Sequence, residues 1–167
     1  MTSFQFEHLF RAPSVAAVFA VYTDRAHTAD QDREVDIAER EFLEFVDEPT
    51  RFRRVSRVVP RRQLPAFVRP FLSGGLSFVE TVDWDKAGDT ISIEIRPSIL
   101  GGRAQIHSTY RLVQDGPGAV RRIYAGSVEV DVRLVGGRIE RAIVDDLGAS
   151  MPVSAAVTQA WLDRASA

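Results

Sequence analysis

The chain contains no cysteine and no asparagine, and among its 21 basic residues the only lysine is Lys86. Without cysteine there is no disulfide, no thiolate nucleophile and no zinc–thiolate site. Lys86 falls in a turn-forming stretch, so Schiff-base chemistry has almost no candidate. No apolar run approaches the ~20 residues of a membrane span. The opening Met1-Thr2-Ser3-Phe4 shows neither a basic nor an apolar leader region. The expectation is a cytoplasmic protein without integral membrane association. A formal net charge of −2 is too small for a general polyanion binder, and 45% hydrophobic content is too high for a disordered chain. Arginine in place of lysine, with much Ala, Val and Gly, matches the bias of a GC-rich genome.

What is present suits one domain: 167 residues, with folding expected to hide roughly 70% of the extended chain's surface. Residues 3–11 alternate, with Phe4, Phe6, His8 and Phe10 on one face, which predicts a half-buried strand. Pro13-Ser14 opens a short helix, with Pro13 placed in its first turn. Residues 23–32 read as a second short helix and a loop, and 33–46 as a long extended stretch. Asp47–Thr50 is a turn, followed by a strand over 51–59. Leu64, Phe67, Val68, Phe71 and Leu72 form an apolar patch, with Pro70 limiting any helix there. Four more strands follow, at 76–84, 90–96, 104–113 and 119–134, mostly joined by short turns. Seven strands so connected predict an antiparallel sheet. A terminal helix is predicted over 138–164, kinked or divided near 148–152 by Pro152.

Charge is distributed in blocks. Residues 21–48 hold ten acidic residues and three arginines, whereas 49–79 hold seven arginines and no acid. A hairpin across Asp47–Thr50 sets Glu39, Glu41 and Glu44 against Arg53, Arg54 and Arg57, and cross-strand pairing explains the blocks better than a nucleic-acid surface. Aromatic interleaving of the kind single-strand binders use is missing. Glu39 and Glu41 share a face with Ile37, Leu43 and Phe45, so they are candidates for an acid/base pair unless arginines neutralise them or a bulge turns them outward. His8, on its apolar face, reads as a hydrogen-bonded core residue. His107 reads as solvent-facing, and His27 carries no motif. The three histidines have no metal-ligand spacing. Gly148–Pro152 fails as a nucleophile elbow, Gly116-Pro117-Gly118 fails as a dinucleotide fingerprint, and there is no phosphate-binding Walker sequence. No cofactor is expected.

The order of strand, two short helices, six strands and a long C-terminal helix resembles the START-like, birch-pollen-allergen-like helix-grip superfamily, also called SRPBCC. Phe4–Arg11 running into Ala12-Pro13-Ser14-Val15, Trp84 closing a strand, and Val132–Glu140 leading into the last helix carry the resemblance. The last two, with the 64–72 patch, are similar to an uncharacterised, largely actinobacterial branch. The resemblance implies an α+β fold, a seven-stranded antiparallel sheet wrapped around the C-terminal helix with a cavity between them. It also implies a hydrophobic or amphipathic small-molecule ligand, and it carries over no catalytic residue. The expected lining is Phe67, Phe71, Phe78, Tyr110, Tyr124, Ile143, Leu147 and Met151. Two alternatives stand beside this reading. One is an interaction module, for instance a homodimer, with a filled interior. The other is a cyclase- or aromatase-like enzyme using cavity carboxylates.

Overall fold

Alternating strands joined by tight turns leave the chain one economical arrangement, a single curled sheet closed by helices. The computed structural model describes residues 1–61, 65–71 (for Phe71 the backbone alone) and 74–167. The elements are β1 (Thr2–Arg11), α1 (Val15–Thr23), α2 (Arg25–Glu34), β2 (Ile37–Asp47), β3 (Arg51–Pro60), β4 (Phe78–Asp85), β5 (Thr90–Pro97), β6 (Ala104–Gln114), β7 (Ala119–Val130) and α3 (Gly136–Ala165). The seven strands form one antiparallel sheet in the order β1-β7-β6-β5-β4-β3-β2. The helix α3 packs on β1 and β7, and on α1 and α2. This is the expected helix-grip α+β architecture. No helix among the described residues is long and apolar enough to cross a membrane.

Local chemistry explains where the elements begin and end. Ser14, not Pro13, opens α1: its Oγ accepts the Ala17 N–H at 3.2 Å, and Pro13 lies ahead of the cap. Asp24 caps α2 by accepting from the Ala26 and His27 N–H groups. That helix runs on to Glu34, so the stretch expected to be extended from residue 33 starts only at Ile37. Asp36 makes the reversal in the left-handed region (φ 65°), and its carbonyl accepts the Arg61 N–H at 2.9 Å.

The strand expected over 119–134 stops at Val130, and α3 starts at Gly136 rather than 138. An ideal Cβ on Gly136 would stand 2.4 Å from the Val130 carbonyl oxygen, so only glycine lets the helix turn in so close. Glu140 then ties this corner together. It accepts the Val130 N–H at 3.0 Å and the Thr2 hydroxyl at 2.7 Å. α3 is one helix through Pro152, with no division at 148–152. It meets β1 at Gly148, where an added Cβ would lie 3.2 Å from the Phe6 ring.

The core fills one end of the grip. Phe10, Phe52, Ile91, Leu112, Val120 and Ile139 are fully buried. Phe19 of α1 stacks on Trp84 at 4.1 Å, and the Trp84 Nε1–H donates to the Gly88 carbonyl. In the 65–71 segment only Arg69–Phe71 is helical, a single 3₁₀ turn containing Pro70. Leu64 and Leu72 lie outside the described residues.

Candidate functional site

The other end of the grip is open. A cavity of about 680 Å³ lies between the concave face of the sheet and α3. Strand alternation carries Phe78 and Glu80 of β4, Ile93 and Ile95 of β5, and Ile106 and Tyr110 of β6 to its wall. Arg122 and Tyr124 of β7 continue that wall, and Ile143, Leu147 and Met151 of α3 face them. Six of the eight expected lining residues therefore meet here: Phe78, Tyr110, Tyr124, Ile143, Leu147 and Met151. Phe67 is not among them; the Arg138 guanidinium covers its ring at 4.1 Å. The Phe71 side chain lies outside the described residues.

The cavity also holds charges that the expected lining omitted. Glu80 Oε1 accepts from Arg40 Nη1 at 2.8 Å and from Arg54 Nη2 at 3.1 Å. Arg40 also grips both carboxylate oxygens of Asp32 from α2, at 2.7 and 3.0 Å. Arg54 Nη1 donates to the Thr28 hydroxyl at 2.9 Å. Burial would raise the Glu80 carboxyl, but Arg40 and Arg54 more than offset this and hold it below its ordinary value. Burial alone would lower Arg40, yet its two carboxylates hold it above its usual value.

Arg122 differs. It is 3% exposed and its Nε has no hydrogen-bond partner among the described residues; Nη2 makes a long 3.5 Å contact with the Met151 carbonyl, and the guanidinium also hydrogen-bonds the neighbouring Tyr110 hydroxyl. Burial lowers its pKa, and the nearby Tyr110, Tyr22 and Tyr124 offset that only in part. The tyrosines are themselves pushed up by burial, Tyr110 and Tyr124 to about 12, so their hydroxyls stay protonated. The Tyr124 hydroxyl is 3.1 Å from Ser108 Oγ, which donates to it.

Beside the cavity sits a buried polar cluster. Thr158 Oγ1 donates to the Ser154 carbonyl at 3.1 Å, so His27 Nε2, 3.0 Å away, is its donor. The His27 Nδ1 is then the bare nitrogen, buried without a partner, and burial lowers this histidine to about 4.

Several expectations change. Glu39 and Glu41 are exposed, and Glu41 lies 3.9 Å from Arg57, directly across the ladder. Register shifts between Ile37 and Glu39 and between Phe42 and Glu44 turn β2 by one residue each, and Arg40 faces inward instead. The acid/base pair read from 39 and 41 is therefore absent. Arg53 meets Glu44 as expected and also Asp83 of β4, whereas Arg54 points inward to Glu80. His107 is exposed as expected. His8 is half-buried against the Phe10 ring at 4.7 Å rather than a hydrogen-bonded core residue, and His27 takes that description. No group of three or more His, Asp or Glu among the described residues is placed to hold a metal.

The missed inward residues left a readable signal. Glu80 alternates with Phe78 and Val82, Arg54 with Phe52 and Ser56, and Arg122 with Val120 and Tyr124. A charge in step with an apolar face was the sign.

With this geometry in hand, comparison with known proteins is informative. The model of the family described as "Protein of unknown function (DUF2505)" matches residues 6–162. No curated protein is similar to the chain in sequence. Among solved structures it is similar to norcoclaurine synthase from Thalictrum flavum in complex with dopamine and hydroxybenzaldehyde, at TM-score 0.69 and 12% identity, covering 97% of this chain and 87% of that one. The Zhui aromatase/cyclase from Streptomyces sp. R1128 gives TM-score 0.67 at 11% identity, covering 98% and 94%. A START superfamily protein from Mycobacterium smegmatis gives 0.61 at 13%, covering 97% of both chains. At these identities the likeness establishes the START-type fold.

Proposed function

We propose that this chain, which belongs to the DUF2505 family, binds a hydrophobic or amphipathic small molecule, lipid-like or polyketide-like, in the cavity between its sheet and α3. The observation that carries this reading is the open, largely apolar space of about 680 Å³, inside the ~300–1,000 Å³ range of small-molecule sites. A chain of this size with a filled interior would gain stability from packing that space. Phe78, Ile143, Leu147 and Met151 are proposed as the apolar contacts. The Tyr110 and Tyr124 hydroxyls are proposed to orient the ligand, and Phe71, on the segment that precedes β4, to complete the lining. The proposal includes a cytoplasmic location, no cofactor and no nucleic-acid partner. It also includes an actinobacterial source, in keeping with the arginine-rich, lysine-poor composition.

The alternatives gain less support. Exposed large apolar side chains such as Leu9, Leu43 and Leu134 lie on separate elements rather than in one patch, which disfavours an interaction module. Of the carboxylates that line the cavity, Glu80 and Asp32 are held by arginines and Asp145 and Asp146 are exposed on α3, which disfavours acid/base chemistry.

The test is titration with Nile red, an uncharged dye that brightens in apolar surroundings. Wild type should bind it saturably at one site. Leu147→Trp fills the cavity from α3 and should abolish binding while the melting temperature stays within about 4 °C. Saturable binding that survives Leu147→Trp, or none in wild type, would defeat the proposal.

A further inference from the structure

We infer that the ligand bound in this cavity carries a carboxylate, and that Arg122 is its counter-charge. The inference rests on the binding reading above and adds the ligand's chemical class.

Three guanidiniums reach the cavity wall. Two are neutralised in place, Arg40 by Asp32 and Glu80, and Arg54 by Glu80. Arg122 is buried as deeply as Arg54, yet no carboxylate among the described residues pairs with it. Its surroundings can be followed element by element. From β1, His8 sits directly across the ladder, and burial together with the Arg122 charge lowers its pKa and so favours its neutral form. From β6 and α1 come Tyr110 and Tyr22, both protonated phenols. From α3 comes the Met151 carbonyl at 3.5 Å, and from below the Phe10 ring, 5.5 Å from the guanidinium carbon. None of these supplies a negative charge. A buried charge without a partner is costly, and removing water from it is repaid only by an anion in good geometry.

The site is built for one anionic group rather than several. Apart from Asp145 and Asp146, which line the cavity from exposed positions of α3, three guanidiniums meet two carboxylates, Asp32 and Glu80, leaving a single inner charge to match. The guanidinium fork fits a carboxylate through two parallel N–H···O bonds. The Tyr110 hydroxyl beside it can donate a further bond to the same oxygens. The apolar side chains of α3 opposite then receive the hydrocarbon body. Such a site prefers amphipathic acids over neutral molecules of the same shape.

The experiment is calorimetric titration with two matched pairs, dodecanoate against dodecanol and naphthoate against naphthol. In wild type at least one acid should bind about tenfold or more tightly than its alcohol. Arg122→Met, close in length and without charge, should erase that preference, bringing the acid's affinity to that of its alcohol. Arg122→Lys should retain part of it. Without ligand, Arg122→Met should melt no lower than wild type, because an unpaired buried charge has been removed. Equal binding of acids and alcohols by wild type, or a preference that survives Arg122→Met, would overturn the inference and leave the binding reading standing. Failure of Arg122→Met to fold would overturn it too, by showing that the guanidinium serves the fold. If none of the four probes binds, the binding reading falls and takes this inference with it.

Discussion

Lowering the pH from 7 to 5 should weaken the fold through His27. This side chain is fully buried, with Nε2 donating to Thr158 and Nδ1 facing no partner. Burial lowers it from 6.5 to about 4, against the pull of Asp24 and Asp30 and with a small push from Arg54. The folded protein therefore holds His27 neutral in a pH range where the unfolded chain protonates it. Where the unfolded state binds more protons, stability falls as pH falls. The contribution is whole above pH 6.5, declines below it and is exhausted near pH 4. At ~1.4 kcal/mol per pKa unit this amounts to about 3 kcal/mol in total, about 2 of it between pH 7 and 5. Urea unfolding at a series of pH values would measure it. His27→Gln should reduce the slope, leaving the share due to His8, whose pKa burial and Arg122 also lower. Trp161, edge-on to His27 at 5.7 Å, offers a second reading from its fluorescence. In the folded protein it should not titrate near 6.5. A native-state midpoint there, or an unchanged slope in His27→Gln, would refute the reasoning.

Two further outcomes follow from other residues. Glu80→Ala strips the shared carboxylate from two buried arginines and should cost about 3–5 kcal/mol in urea unfolding, with an unchanged denaturant slope; a loss below about 1 kcal/mol would show that water reaches the arginines. Gly126→Ala places a methyl 2.2 Å from the His107 carbonyl and should cost about 1–3 kcal/mol or more by forcing β6 and β7 apart; an unchanged thermal midpoint would contradict this close approach.

The strands were readable because each turn carries its own chemistry and each face its own period. Phe4, Phe6 and Phe10 define the inward side of β1, and Ile91, Ile93 and Ile95 that of β5, with no competing signal. β2 resisted because each of its two register shifts inverts the alternation, so that Glu39 and Glu41, though on one side together, part from the face of Ile37 and Phe45. The polar sequence of α2 has little apolar periodicity, and its extent is set by contacts with α3, such as those of Gln31 with Ser154 and His27 with Thr158, more than 100 residues away. The cavity wall was legible where it is apolar. It was not legible at Arg40, Arg54 and Arg122, because whether a strand arginine is solvated or buried depends on which partner the fold delivers. Sequence separation of 40 residues divides Arg40 from Glu80, and 26 divide Arg54 from it.

The irregularity of β2 has a meaning beyond its register. The strand is one margin of the sheet, with β3 on one side and no strand on the other. A regular margin would offer its free N–H and C=O groups as a template for another molecule's strand. Here two bulges interrupt that row, and the exposed Glu39, Glu41 and Glu44 would repel the same margin of a second copy. The features that obscured the strand's inner face thus also guard a concentrated solution of this chain against edge-to-edge aggregation. Regularising β2 by deleting a bulge residue would tidy its pattern and expose the sheet to growth between molecules.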